Sequence, residues 1–539
     1  MDYSKNFRKF PIAIALCLSS IAFANPQSTQ TDINAFLNEF NKNPKKVMDT
    51  IPQKKSSSNE VIPESQFSNN DQKTKEYLSK KDKIREKLMK NAYKNTRRFT
   101  PFAEYLGNDN PKYLVENPSS FIDNINTIDS KNVSNFRLSF QPWSGSYWPL
   151  SQGSVTNRYA ERLGAVSDIN AYANYILNQK PASSLIREGK TNNLSPAEKY
   201  DLLVNDQNYS LTQSILREVT SYGSFEGWEG ICHGWAPAAY MYNRPARSVK
   251  LTNTSGVEIT FYPSDIKALS SLLWANLSYP TKFIGGRCNQ KDPQTDANGR
   301  ILSQECFDTN PGTFHLTLIN QMGLNNRSFV FDATYDFQVW NQPILGYSYV
   351  YFNPQTGRVA YNAKDAAITI QQFTNDKFRK YRSSRAAKVV GVKTRIEYIA
   401  ETGPSTAQKD NESRDNVISV EYYYDLELDS SDRIIGGEWY QNAHPDFIWT
   451  PTVTADVSTG LVPGNTTESY NYNIYKWQEN PTRPFNEWGA YSPYAAQRKV
   501  PLENIIRSLV AWSADDRGGE APENCKQPCI PNTYKWHRY

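Results

Sequence analysis

An α+β fold, with helices gathered ahead of an antiparallel sheet, is what the order of hydrophobic periods along this chain predicts. Three observations carry that expectation. Between about 155 and 245 the apolar spacing is helical, and "SPAEKYDLLVND" opens on a capping box, with Ser195 as N-cap, Pro196 at the first helical position and Glu198 at the third. After Leu251 the period drops to two: "VEITFY", "TFHLTLIN", "SFVFDAT", "SYVYF", "TRIEYIA" and "VISVEYYYDLEL" read as strands, several of them separated by Gly and Asn turns. Strands and helices do not alternate as βαβ units would require, and the chain shows no internal repeat.

Ahead of the helical block lies a different kind of sequence. Lys5, Arg8 and Lys9 precede an apolar run from Phe10 to Phe23 and the small-residue pattern Ala22-Phe23-Ala24, which reads as a signal peptide over 1–24 and predicts export. The run is too short to span a bilayer, and no later stretch is long and apolar enough to do so. Residues 25–130 read as a polar, basic helical appendage. In "TDINAFLNEF", Ile33, Phe36, Leu37 and Phe40 fall at helical spacing with Thr31 as a candidate cap, residues 41–72 read as a flexible linker, and "TKEYLSKKDKIREKLMKNAYKNTRRF" as a basic helix. Two readings of that appendage stand side by side: a solvated basic segment, or a pro-segment lying over an acidic cleft. The body is assigned to 131–454, and 455–539, with one clear helix in "LENIIRSLVAWS", to a C-terminal segment that wraps it.

Composition narrows the function classes. The aromatic fraction of 13% is ample for a core, while 38% hydrophobic residues is low enough to imply that part of the chain is not packed. Net charge is +5, but residues 1–24 carry +2 and residues 71–100 carry eight Lys and three Arg against four acids, so the remainder is net acidic. A nucleic-acid-binding domain spreads basic charge over its folded face, and here it is confined to one flank.

The cysteine count points to chemistry. Removing the signal peptide takes Cys17 and leaves Cys232, Cys288, Cys306, Cys525 and Cys529, an odd number in an oxidising compartment. Cys525 and Cys529 suit a small terminal clasp. Cys288 and Cys306 bracket a polar insert with Asp-Pro and Asn-Gly turns, and closing that loop is worth about 3 kcal/mol in the chain-entropy account. Cys232 is left over, in "WEGICHGWAPAAYM", between glycines and at the start of a candidate helix. It is either an inert buried thiol or a nucleophile whose pKa is lowered by a helix N-terminus and an imidazolium. Zinc does not fit, because neither a CxxC pair nor a second histidine at ligand spacing accompanies it. Pro237 requires that helix to begin close by.

Four histidines are available as a base: His233, His315, His444 and His537. If "TFHLTLIN" and "SFVFDAT" pair as a hairpin about Gly323 and Leu324, His315 and Asp332 become cross-strand neighbours. A carboxylate there fixes the imidazole's tautomer, and the imidazole then activates a thiol on a facing helix. The plainer alternative is a buried His-Asp pair that braces the sheet. An oxyanion site would use the backbone N–H of Cys232, with the indole N–H of Trp228 as a second donor or as a simple core tryptophan.

Several long motifs in the same order, "QPWSGSYWP", "SPAEKYDLLVND", "WEGICHGWAPAA", "FHLTLIN", "VFDATYDFQVWNQP" and "GGEWYQNAHPDFIWTP", make residues 136–451 resemble the transglutaminase elicitor family of oomycete cell-wall proteins and their bacterial counterparts. The resemblance implies a papain-like core and a protein-glutamine γ-glutamyltransferase with a Cys232, His315 and Asp332 triad. Cys232 would form a thioester with a glutamine side chain of a protein, and a lysine or small amine would take up the acyl group. Water as acceptor would give deamidation instead. The mechanism needs no cofactor, and calcium dependence is left open; no EF-hand loop is present. In oomycete members the stretch matching 339–351 is a surface peptide recognised by plants, and here only Val339 to Pro343 stays close to it. Two rivals remain: a papain-like cysteine protease, and a non-catalytic surface or wall-binding protein.

Overall fold

A computed structural model describes residues 26–57, 61–62, 109–116, 118–161, 169–221, 228–286, 293–303, 306, 308–334, 339–455, 457 and 488–514. The predicted signal peptide, the basic helix at 74–99, Cys288, Cys525, Cys529 and His537 lie outside these residues.

Helices come first, as the periodicity predicts. The main ones are α1 (Pro26–Lys42), α2 (Pro196–Leu203), α3 (Ser210–Ser221), α4 (Cys232–Met241), α5 (Pro263–Asn276), α6 (Pro311–Thr317), α7 (Trp488–Ala496) and α8 (Glu503–Ala514). The capping box of α2 is present in full: Ser195 accepts from the Glu198 backbone N–H, and the Glu198 carboxylate accepts from the Ser195 backbone N–H. Glu198 also takes the Arg158 guanidinium, at 2.5 and 2.9 Å, in a buried ion pair. Helix α1 starts five residues before Thr31, which therefore caps nothing; its hydroxyl bonds back to the Gln27 carbonyl at 3.0 Å.

The strands that matter to the site are β1 (Lys54–Ser56), β2 (Thr281–Gly285), β3 (Val330–Asp332), β4 (Asn341–Phe352), β5 (Lys388–Ala400), β6 (Asn416–Leu428), β7 (Ile434–Trp439) and β8 (Phe447–Pro451). They form one large antiparallel sheet in the order β1-β6-β5-β4-β3-β8-β2, with β7 paired to β6. The α+β expectation therefore holds. Strand β4 lies in the middle and is buried along its whole length.

Two expectations are corrected. "TFHLTLIN" is not a strand: residues 311–317 form α6, and the chain continues as a π-helix over Leu318–Gly323. The start signal is Asn310-Pro311, with the Asn310 side chain accepting from Gly312 N at 2.8 Å. All of α6 is buried, so no polar face broke the apparent alternation. Its threonine hydroxyls are satisfied locally, Thr313 on the Asp109 carbonyl and Thr317 on the Thr313 carbonyl. The second correction follows from the first. The cross-strand partner of Asp332 is Asn341, not His315.

The described part of the N-terminal appendage is built into the body. Ile33, Leu37 and Phe40 of α1 are buried in one cluster with Val350, Phe352 and Tyr440. Phe36 stacks on Tyr423 at 3.8 Å, and Lys54 of β1 pairs with Val420 at the sheet edge. At the other end α7 and α8 bury Trp488, Leu509 and Trp512 in the main core.

Candidate functional site

The first helical residue of α4 is Cys232, the free thiol among the described cysteines. Its position is set by close backbone packing on both sides. Ile231 N–H donates to the Tyr147 carbonyl at 2.7 Å, and a side chain at Gly230 would meet that carbonyl at 2.3 Å. At Gly234 a Cβ would lie 2.2 Å from the Ser271 carbonyl of α5. Only glycine lets the helix sit this deep between the 143–148 segment and α5. Pro237 does lie inside the helix, five residues on.

The thiol is buried, with 5% of the residue exposed. Its sulfur donates toward the Val339 carbonyl and accepts from Asn341 Nδ2, both at 3.6 Å. Asn341 is held in turn by Trp449 Nε1 at 2.9 Å. Burial pushes the thiol up to about 11, the Asn341 donors pull against that, and the negative fields of Glu401 and Asp332 add to it. The lowered pKa expected from a helix N-terminus and an imidazolium is thus not the resting state: desolvation outweighs the helix end.

Asp332 closes β3 opposite Asn341, so it shares the neighbourhood of Cys232. Its Oδ1 accepts from Thr334 N, Thr334 Oγ1 and Trp340 N at 3.0–3.2 Å, which ties the end of β3 to the residue before β4. The structure does not bring His315 there. Its Nδ1 bonds Tyr424 Oη at 2.9 Å, Tyr424 continues to Thr394 Oγ1 at 2.7 Å, and the ring meets Tyr349 edge-on at 4.8 Å. Tyr349 is eight residues along β4 from Asn341, roughly 25 Å at the rise of an extended strand. Burial pushes the imidazole down to about 3, so it is neutral. His444 is also buried, stacked on Trp439 at 4.7 Å, and His233 is exposed beside the nucleophile. The bonding partners of the sulfur include none of the three. Trp228 is half-buried in the turn ahead of α4.

Two residues at the site were not legible beforehand. Asn341 lies in a strand of mixed polarity whose register only the fold supplies. Glu401, just beyond β5, takes Gln342 Nε2 on both carboxylate oxygens at 2.9 and 2.8 Å and is pushed up to about 7 by burial. Its charge and that of Cys232 both bear on the Tyr147 phenol, which burial pushes up to about 12 and whose ring lies 5.0 Å from that of Trp340. Among the described residues no group of three or more His, Cys, Asp and Glu is placed to hold a metal ion.

Residues 119–470, which contain Cys232, His315, Asp332, Asn341 and Glu401, match the model of the transglutaminase elicitor family. The chain belongs to that family. A solved structure, the GP42 transglutaminase from Phytophthora sojae, is similar to it at 22% identity, covering 65% of this chain and 92% of that one with a TM-score of 0.43. No curated protein matches the chain. The segments of this family member outside the match are the N-terminal appendage up to 118 and the tail beyond 470.

Proposed function

We propose that the protein is a secreted protein-glutamine γ-glutamyltransferase with Cys232 as its nucleophile. Family membership supports the reaction class, and one observation carries the residue: the free thiol begins a buried helix, held by the first residue of the central strand, with two carboxylates within electrostatic reach. A nucleophile helix packed on an antiparallel sheet also supports the papain-like comparison.

The resting thiol is neutral, so proton removal and attack must be coupled. Sulfur attacks the glutamine carboxamide as the thiol proton passes to the amide nitrogen, the C–N bond breaks to release ammonia, and a thioester stands at the helix N-terminus, where the Cys232 backbone N–H and the Trp228 indole are the proposed donors to the oxyanion. Asp332 is proposed to act by holding Thr334 and Trp340 in place beside Asn341. His315 was the expected base. Its ring instead serves the Tyr424 and Thr394 network, away from the sulfur. Cys288 with Cys306, and Cys525 with Cys529, are the proposed disulfides, leaving Cys232 free.

The test is incorporation of a biotinylated amine into a glutamine-rich protein, with parallel assays for glutamate formation and peptide cleavage. Cys232-dependent incorporation supports the proposal. Cleavage without incorporation would make the protein a protease, glutamate alone a deamidase, and no reaction a non-catalytic surface protein.

A further inference from the structure

We infer that Glu401 is the acceptor-binding residue of the Cys232 site, receiving the ammonium of an incoming primary alkylamine and taking its proton. The inference rests on the proposed transamidation by Cys232 and adds how an amine is chosen over water.

The geometry is specific. Glu401 is bracketed by two segments that also hold the nucleophile. Its oxygens take the amide of Gln342, the residue after Asn341, and the next residue, Thr402, donates to the Gly145 carbonyl at 2.9 Å. Gly145 packs against the Trp235 indole of α4, and Tyr147 two residues on receives the Ile231 N–H beside Cys232. The carboxylate is near enough for its charge to reach the sulfur, yet it is not among the sulfur's hydrogen-bond partners.

The two carboxylates of the site are not equivalent. Asp332 Oδ1 is committed to three donors, the Thr334 N–H and hydroxyl and the Trp340 N–H, while the side-chain donor to Glu401, shared by both its oxygens, is one neutral amide. The groups facing Glu401 are Gln342 from β4, Cys232 from α4, Tyr147 from the 143–148 segment and, from β1, the ammonium of Lys54, whose charge favours the carboxylate form.

In the transfer step the ammonium gives one proton to the Glu401 carboxylate. The nitrogen lone pair then forms the C–N bond as the C–S bond breaks, and a second nitrogen proton ends on sulfur, regenerating the thiol. The carboxylic acid returns its proton to solvent before the next acceptor binds. Burial pushes the carboxyl up to about 7, so transfer to alkylammonium acceptors is expected to fall as pH drops below that value.

Two acceptors separate this role from a structural one: a lysine analogue carrying an ammonium, and hydroxylamine, which is neutral at the same pH. With a fixed glutamine donor, Glu401→Gln is expected to lower the ratio of alkylammonium to hydroxylamine transfer by about tenfold or more and to remove the loss below pH 7. Because the readout is a ratio, it is independent of how much Glu401→Gln folds or acylates, and Glu401→Asp, which keeps the charge, should restore most of it. An unchanged ratio in Glu401→Gln would overturn the inference. Wild-type protein that transfers to neither acceptor would overturn the transglutaminase reading itself.

Discussion

At Cys232 two consequences of the fold oppose each other. A helix N-terminus stabilises a thiolate, whereas burial and two nearby carboxylates destabilise it, and the thiol ends up at about 11. Iodoacetamide labelling of the substrate-free protein should therefore be slow at neutral pH and should quicken by about tenfold per unit as pH climbs toward 11. Rapid labelling at pH 7 would show that the resting thiol is already ionised. At His315 the sign runs the other way. Its folded pKa of about 3 lies below the value of 6.5 it has when exposed, so its contribution to stability is complete above pH 6.5 and is lost as pH falls from there toward 3. His315→Gln should flatten that acid loss in urea titrations and cost about 1–3 kcal/mol at pH 7 through the broken Tyr424 bond. If the variant is as stable as wild type but loses all amine transfer, the imidazole is catalytic and the arrangement described for Tyr424 is not the working one. The nucleophile was legible because cysteine arithmetic is local bookkeeping. Asn341 and Glu401 were not, because each matters only through partners more than 50 residues away, Asn341 on Cys232 and Glu401 on Gln342.

Among the elements, sequence reading succeeded where the signal was a start or a period with one polar face. The Ser195 box and the 503–514 helix are of that kind, and so is the long β6 strand. It failed at α6, where full burial removed the polar face and left an alternation that a strand and a buried helix share. The Asn310-Pro311 start was the available signal. Ser195→Ala should cost about 1 kcal/mol in chemical denaturation, and a neutral result would mean that the box contributes nothing. Gly234→Ala is the sharper probe of α4. A methyl group 2.2 Å from the Ser271 carbonyl must push α4 and α5 apart, so the variant should lose both thermal stability and Cys232 reactivity toward a glutamine donor. Retention of both would mean that the helix does not sit this deep.

Across the whole molecule, the chain order of helices and strands revealed the fold class but not which parts depend on one another. The 25–130 appendage reads as separate sequence, yet α1 seals one face of the sheet through the Phe36 and Tyr423 stack and the Asp32 and Lys393 pair, and β1 extends its edge. Compositional bias does not register the few apolar residues, Ile33, Leu37 and Phe40, that anchor it. A chain starting at residue 58 should accordingly melt several degrees lower than one starting at residue 25, and an unchanged midpoint would mean that 26–57 is dispensable to the body. The proposed chemistry passes through one covalent intermediate. Incubating the protein with a glutamine donor peptide, quenching in acid and mapping the mass should give a thioester adduct on Cys232, equal to the peptide less ammonia and absent from Cys232→Ala. An adduct on any other residue, or turnover of the donor with Cys232 unmodified and replaceable, would contradict it.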